Sequence, residues 1–589
     1  MRSRIGVSIG SLCLWLGSHL VSAQGTQYWA GDSLLYNYDT NYVKEPPVNL
    51  NLKKTHPGYD IGYAIPDARK LRFGGMDFLP DGRMVVADWQ SFNLDKGNIY
   101  ILDSLEKGEN AVTFTKVASE IWEPLGLVVA DGEIFFLAQD GIWKLEKNTV
   151  GNGYTKKPFL AMPVPLKNGG VFPLAYDLQY HNGSFYFTTG GYGNTHGAQG
   201  EGYVFRVSKS NPKDFEVISK GLRNPNGLGV NAAGAMFVTD NQGEYRRADP
   251  IYHVRRGKHY QYLSAGNVLP STLDSIAEPA MWIPHGEAAC SLTDMFYLDS
   301  GKYRGQFLVG DNRFGSVGRA SLEQVNGVYQ GAYFLFSGID TAGGIYRFAK
   351  GQDGSIYWGA LGDPQLRNWT WNGKITGMLR MQPNYKRTFD LQNVRAIKGG
   401  FVVDFTEPAE AAAALTKTYL VHSWTYGPTA PDYGGAKLDF KPMPVASATL
   451  SADSKTVMLT ITGLAVGRVY RITVDSTLKS STGLPLWTNK SWYTLNVLGN
   501  DVVGLIKPAD VPAAGVSGWA WARQGKTLEI KIMDPGAFHL QVLDTRGRIL
   551  RQENGIGPVN RTLEMPESGL WWVNVATRSG NKVEKVYGF

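Results

Sequence analysis

The chain has 589 residues, 43% of them hydrophobic and 19% charged, with a formal net charge of +7. That length exceeds one ordinary core and calls for several domains, and its scattered Lys and Arg form no phosphate track, which argues against nucleic acid as a partner. Of two cysteines, Cys13 falls in the leading apolar segment and Cys290 stands alone, so an internal disulfide, a thiolate metal cluster and haem attachment through CxxCH are ruled out.

Arg2 and Arg4, an apolar run over residues 5–21 and Ser22-Ala23 read as an export signal over 1–23, cleaved before Gln24. The mature chain is therefore expected to be secreted or held at the cell surface. No later stretch reaches the ~18 apolar residues of a spanning helix. Residues 24–67 are polar and punctuated by proline, and read as an N-terminal arm.

From 68 to 378 one unit recurs: a short apolar strand, a tight turn with glycine, a second apolar strand and a polar loop. Copies lie at 74–88, 124–140, 176–190, 226–240, 293–311 and 344–359, with turn glycines Gly82, Gly132, Gly183, Gly234, Gly305 and Gly354. A period of about 50 residues with further strand candidates between copies predicts a six-bladed β-propeller. The 70 glycines, 16 Trp, 30 Tyr and 25 Phe fit an all-β chain. The interval between Gly234 and Gly305 is longer than the rest, and such insertions map to a loop on one face, often the binding face. Residues 379–387 read as a linker, 388–498 as an immunoglobulin-like β-sandwich, 499–524 as a second linker and 525–589 as a small C-terminal β-sandwich.

Each hairpin turns at one end, so its polar flanks gather at the other, around the propeller axis. The candidate ligand face therefore holds Asp88, Trp89, Gln90, Gln139, Asp140, Tyr192, Asn194, His196, Arg223, Asn224, Asp240, Asn241, Gln242, Asp311, Asn312, Arg313 and Asp363. Amides, carboxylates and rings of this kind suit a polyhydroxylated ligand, a sugar or polysaccharide. Trp89, Tyr192, Asn241 and Asp311 are the candidate substrate contacts. They also suit a planar tricarboxylate quinone, for which Arg223 and Arg313 are the candidate clamps. His285 and Glu287, in the insertion, are the candidate acid and base. Asp240 offers hard oxygen to a Ca²⁺ ion. Cys290 reads as buried and inert. No phosphate loop, Gly-x-Ser-x-Gly or His-Glu-x-x-His is present.

The run GLRNPNGL at 221–228, followed one hairpin later by Gln242-Gly243, resembles the soluble quinoprotein glucose/sorbosone dehydrogenase family. The resemblance implies a six-bladed propeller that oxidises a sugar by hydride transfer to pyrroloquinoline quinone (PQQ). It assigns Arg223 and Asn224 to the quinone, and Gln242 and Gly243 to cofactor and Ca²⁺. Two departures accompany it: Glu244 and Tyr245 follow Gly243, and Val171-Phe172-Pro173-Leu174 stands where that family keeps its catalytic histidine. The propeller also resembles a branch of secreted bacterial propellers, some with a c-type haem domain that this chain lacks. The C-terminal unit, with FHLQVLDTRGRIL and SGLWWVNV, resembles a type IX secretion sorting domain, which implies the type IX machinery as a partner; a generic carbohydrate-binding sandwich is the alternative. A quinoprotein-like sugar dehydrogenase and a non-catalytic surface propeller binding polysaccharide or a protein partner both remain open.

Overall fold

The computed structural model describes residues 55–90, 96–151, 153–161, 174–190, 200–263, 275–338, 342–363, 374–427 and 433–500, and beyond 500 the strands between 519 and 588. Residues 1–500 and 501–589 form two compact units. The export signal and most of the predicted arm lie outside the described residues.

Six antiparallel blades of four strands follow one another in the first unit, the fifth forming half of a longer sheet. Blade one is Phe73–Phe78, Met84–Asp88, Gly97–Asp103 and Thr113–Ile121; blade two is Gly126–Ala130, Glu133–Ala138, Gly141–Lys147 and Tyr154–Ala161. Blade three is Ala175–His181, Ser184–Thr189, Val204–Ser208 and Phe215–Ser219; blade four is Gly227–Val230, Met236–Thr239, Asp249–His253 and Met281–Ile283. Blade five is Leu292–Tyr297, Phe307–Asp311, Ser316–Val325 and Val328–Gly338. The first strands pack side by side in sequence order and the sixth returns to the first, closing the ring. All six turn glycines take positive φ, from 73° at Gly183 to 89° at Gly82 and Gly305, a region that strains any residue with a Cβ.

Blade six contains only three consecutive strands, Ile345–Lys350, Ile356–Ala360 and Met378–Pro383. Its outer strand is Tyr59–Tyr63, paired antiparallel from Tyr59↔Pro383 to Tyr63↔Leu379. The end of the predicted arm is thus the strand that closes the propeller. At five residues, YDIGY is too short for its alternation to stand out from a loop.

The sandwich stacks Leu391–Ile397, Gly400–Phe405, Thr456–Ile461 and Val445–Leu450 against Lys490–Leu495, Arg468–Val474, Tyr419–Tyr426 and Lys437–Met443. Phe401, Val403, Leu459, Tyr470, Ile472 and Tyr493 form part of its core. The second of these sheets is continuous with blade five. Gly331, Ala332 and Tyr333 pair with Thr494, Tyr493 and Trp492, giving one sheet of eight strands. An otherwise open edge on each side is satisfied by the other.

In the second unit, Trp519–Gln524, Thr527–Ile532 and Val559–Glu564 form one sheet. Ile549–Ile556, Ala537–Asp544, Gly569–Thr577 and Gly580–Gly588 form the other. Leu528, Ile530, Ile532, Phe538, Leu540, Val542, Val573 and Val575 make up a small core. Among the described residues no helix is long and apolar enough to cross a membrane.

Candidate ligand site at the propeller mouth

The second strand of a blade ends where its first strand begins, and in blades one, four and five a carboxylate there ties the two together. Asp88 accepts the main-chain N–H of Arg72 (3.1 Å). Asp311 accepts those of Cys290 (2.7 Å), Ser291 (3.3 Å) and Phe314 (2.7 Å). In blade four Asp240 accepts Arg223 N–H on Oδ2 (2.9 Å), and Asn224 and Asn241 N–H on Oδ1 (2.6 and 2.9 Å). The buried Arg246 guanidinium adds a bond to Asp240 Oδ2 at 2.8 Å. Two donors on each oxygen occupy this carboxylate within the protein, so Asp240 organises the loop and has little left for a cation. Asp311 is likewise spent on caps. Burial, and secondarily the charge of Asp249, raise it to about 6.

Arg223 lies beside the second blade-four loop. Its Nε donates to Glu244 at 2.8 Å, its guanidinium packs on the backbone of Gly243, and the Tyr433 ring centre is 5.4 Å away. Tyr433 belongs to the sandwich, whose Gly434 N–H donates to the Gly243 carbonyl at 2.9 Å. The sandwich therefore seats on the Gln-Gly loop, which meets the candidate Ca²⁺ ligand Gly243 and the candidate quinone clamp Arg223 together.

Three side-chain oxygens in the same place have no partner among the described residues. They are Asn224 Oδ1, Asn241 Oδ1 and Gln242 Oε1, on residues 6%, 6% and 2% exposed. The amide nitrogens of the latter two are used, Asn241 on Ser291 Oγ (3.3 Å) and Gln242 on the Arg247 carbonyl (3.3 Å). Leaving a buried acceptor unpaired costs about 1–3 kcal/mol each, so each of these oxygens would gain from a donor or a hard cation.

The candidate acid and base are placed otherwise than chemistry needs. Glu287 receives Lys437 Nζ, Arg471 (2.8 Å) and Trp492 Nε1 (3.0 Å), all from the sandwich. Burial alone would raise its carboxyl, but the Lys437 and Arg471 charges outweigh that and hold it well below the usual range. It is a fixed anion at the interface. His285 Nδ1 meets Asp249 Oδ2 at 2.8 Å, and its Nε2 lies 3.6 Å from Cys290 Sγ. Both side chains are buried. Burial, with Asp311 and Asp249 nearby, pushes the Cys290 thiol well up, so this Cys-His-Asp row lacks the thiolate a nucleophile requires.

The axis itself is filled. Trp89, Leu125, Leu174, Tyr176, Tyr346 and Leu361 form one buried apolar cluster. Trp89, a candidate stacking platform, is 0% exposed and donates its indole N–H to Glu123 at 2.5 Å. Leu174, the last residue of the segment that lacks the family's histidine, contributes to the plug. Beneath it Arg347 donates to the carbonyls of Gly74 (3.0 Å), Leu125 (2.7 Å), Asn226 (2.9 Å) and Tyr346 (2.9 Å), joining blades one, two, four and six. Arg313 sits half-buried in the turn after Asp311. Tyr192, Asn194 and His196 lie outside the described residues.

Sequence reasoning passed over Arg347 and a set of inner-strand acids. Asp77 accepts Val129 N–H of blade two (2.7 Å), Asp177 that of Leu228 in blade four (2.7 Å) and Asp294 that of Phe348 in blade six (2.9 Å). The signal was present as MDF, YDL and TDM in alternate repeats.

No family model matches the chain and no curated protein matches it. Solved structures do. One is a putative oxidoreductase (glucose dehydrogenase) of Thermus thermophilus, 17% identical, covering 55% of this chain and 100% of its own, with a TM-score of 0.41. Another is the PQQ domain of pyranose dehydrogenase from Coprinopsis cinerea, at 10% identity, 57% and 98% coverage and a TM-score of 0.40. A third is the PQQ-bound aldose sugar dehydrogenase of Streptomyces coelicolor, at 14% identity, 56% and 100% coverage and a TM-score of 0.35.

Proposed function

We propose that the chain is a surface propeller that binds a sugar or polysaccharide at the blade-four mouth and does not turn it over. The observation that carries this is the buried trio of unpartnered acceptors on Asn224, Asn241 and Gln242. Hydroxyl groups are the donors such oxygens need, and with His285 and Glu287 sealed neither of these two candidates is placed to move the hydroxyl proton. Secretion through the export signal and recognition of the last unit as a sorting address belong to the same reading.

The same oxygens favour a second reading, a quinoprotein-like sugar dehydrogenase. Hard carbonyl oxygens suit Ca²⁺, and Asn224 and Gln242 occupy positions that the resemblance assigns to the quinone and Ca²⁺. PQQ when bound would supply the hydride acceptor. Asn224 and Gln242 would hold the cofactor and its ion, while Arg223 fits poorly as a carboxylate clamp because Glu244 already holds it.

The test is calorimetric titration of the full chain with neutral sugars, before and after addition of PQQ and Ca²⁺. Binding without the quinone, weakened tenfold or more in Gln242→Met and Asn241→Leu, is the expected result. A quinone spectrum with sugar-dependent dye reduction overturns it for the second reading. Sugar affinity unchanged in both variants removes the trio from the site.

A further inference from the structure

A second place on the molecule has the chemistry of a sugar site, three blades around the ring from Asn224. A cleft of about 710 Å³ opens at the edge of blade one, lined among others by Asp88, Gln90, Lys96, Asn98, Tyr100 and Trp122. Its volume falls in the range of about 300–1,000 Å³ typical of small-ligand sites. Trp122 follows the outer strand of the blade and is 39% exposed, among the few large aromatic side chains left in solvent. Its main chain is held in place, the carbonyl accepting the Gln139 N–H of blade two at 3.0 Å. Lys96 Nζ stands 5.5 Å from the Trp122 ring centre and 2.8 Å from Glu120 Oε2. Deeper in, Asp88 Oδ2 accepts Gln90 Nε2 at 2.6 Å and Asn98 Nδ2 at 3.5 Å, which orients both amides from one carboxylate.

The charges balance locally: the lining's three cations, Arg69, Lys70 and Lys96, stand against Asp88 and Glu120 in the lining and Asp67 just outside it. Lys96 lies 2.8 Å from Glu120 and Lys70 3.0 Å from Asp67. A phosphate-bearing ligand would need an excess of cations. An apolar tail would need apolar walls, yet among the described residues Leu71 is the only aliphatic side chain in the lining. What the cleft offers is a flat ring beside preset amides and carboxylates. That combination receives the C–H face of a pyranose while pairing its hydroxyls. We infer that this blade-one cleft is a saccharide subsite, with Trp122 the stacking platform and Gln90 and Asn98 reading hydroxyls. It would hold its ligand whether or not the blade-four mouth does.

The test uses the full chain and a defined panel of neutral hexasaccharides: β-1,4-glucan, β-1,4-xylan, β-1,4-mannan and α-1,4-glucan. Binding is followed by calorimetry in wild type, Trp122→Ala, Trp122→Phe and the double variant Gln90→Ala/Asn98→Ala. At least one hexasaccharide should bind. Trp122→Ala and the double variant should each weaken it tenfold or more, and Trp122→Phe should retain most of the affinity, with the melting temperatures of the two Trp122 variants close to wild type because the indole is part-exposed. Binding that Gln242→Met abolishes and Trp122→Ala leaves untouched overturns the cleft while upholding the mouth. Absence of binding to every hexasaccharide, or displacement by inorganic phosphate, overturns it as well.

Discussion

Removing the Glu287 carboxylate should uncouple the sandwich from the propeller. In Glu287→Ala, Lys437 and Arg471 stay buried without their anion, and the Trp492 indole N–H loses its acceptor. Breaking a buried ion pair from one side costs about 3–5 kcal/mol, because the cost is dominated by the charge left behind. The unit of residues 1–500 should lose that much in guanidinium unfolding, followed by tryptophan fluorescence, to which Trp492 and Trp424 at this interface contribute. Glu287→Met combined with Lys437→Met and Arg471→Met should recover most of the loss, since apolar groups of similar volume replace such clusters at little cost. The sign with pH follows from the depressed carboxyl. Its contribution is fully present above the unfolded value of about 4.3 and drains away as pH falls toward the folded one. A loss under about 1 kcal/mol in Glu287→Ala, or a triple variant no more stable than the single, refutes this account of the interface.

Two further outcomes test the axis. Arg347→Met removes the donors to the carbonyls of Gly74, Leu125 and Asn226, and at about 1–3 kcal/mol for each buried acceptor left unpaired it should destabilise the propeller severely; calorimetric melting checks it, and an unchanged transition refutes it. Asp294 behaves oppositely to Glu287 with pH. Burial, then the nearby Asp177, raises it to about 7, so the folded state holds the proton more tightly and stability falls as pH rises from about 4 to 7. Asp294→Asn, which keeps an acceptor for Phe348 N–H, should therefore gain stability relative to wild type at pH 8 and not at pH 4, read from denaturation midpoints at both.

The propeller was legible because its determinants are local. A turn that needs positive φ demands glycine, and six such turns at a nearly constant interval leave few alternatives. The ring of polar residues at the strand ends was legible for the same reason. Their partners were not. Glu287 resembles an acid near a histidine until Lys437 and Arg471 arrive from 150 and 184 residues away, and pairings at that separation leave no periodic trace. Trp89 has the composition of a sugar platform, and only packing among Leu125, Leu174 and Tyr346 shows that its face is spent. The closing strand at residues 59–63 lacked the length to declare itself. Conversely Asn224 and Gln242 were assigned by resemblance to the quinone and its ion and Asn241 to substrate, and only burial shows that their oxygens lack donors.

The alternation of inner-strand acids divides the ring unevenly. Asp77, Asp177 and Asp294 each reach forward one blade, so blades one and two, three and four, and five and six are stitched in pairs by a side chain, while no such acid spans two to three or four to five among the described residues. By these acids the ring falls into three two-blade modules, and the Thr239 hydroxyl adds a bond across blades four and five to the Thr293 carbonyl at 2.8 Å. A circular permutant opened after Ala161, at a module boundary, keeps all three stitches; one opened between Ile121 and Gly126 separates Asp77 from Val129 along the chain and must recover that contact across its new termini.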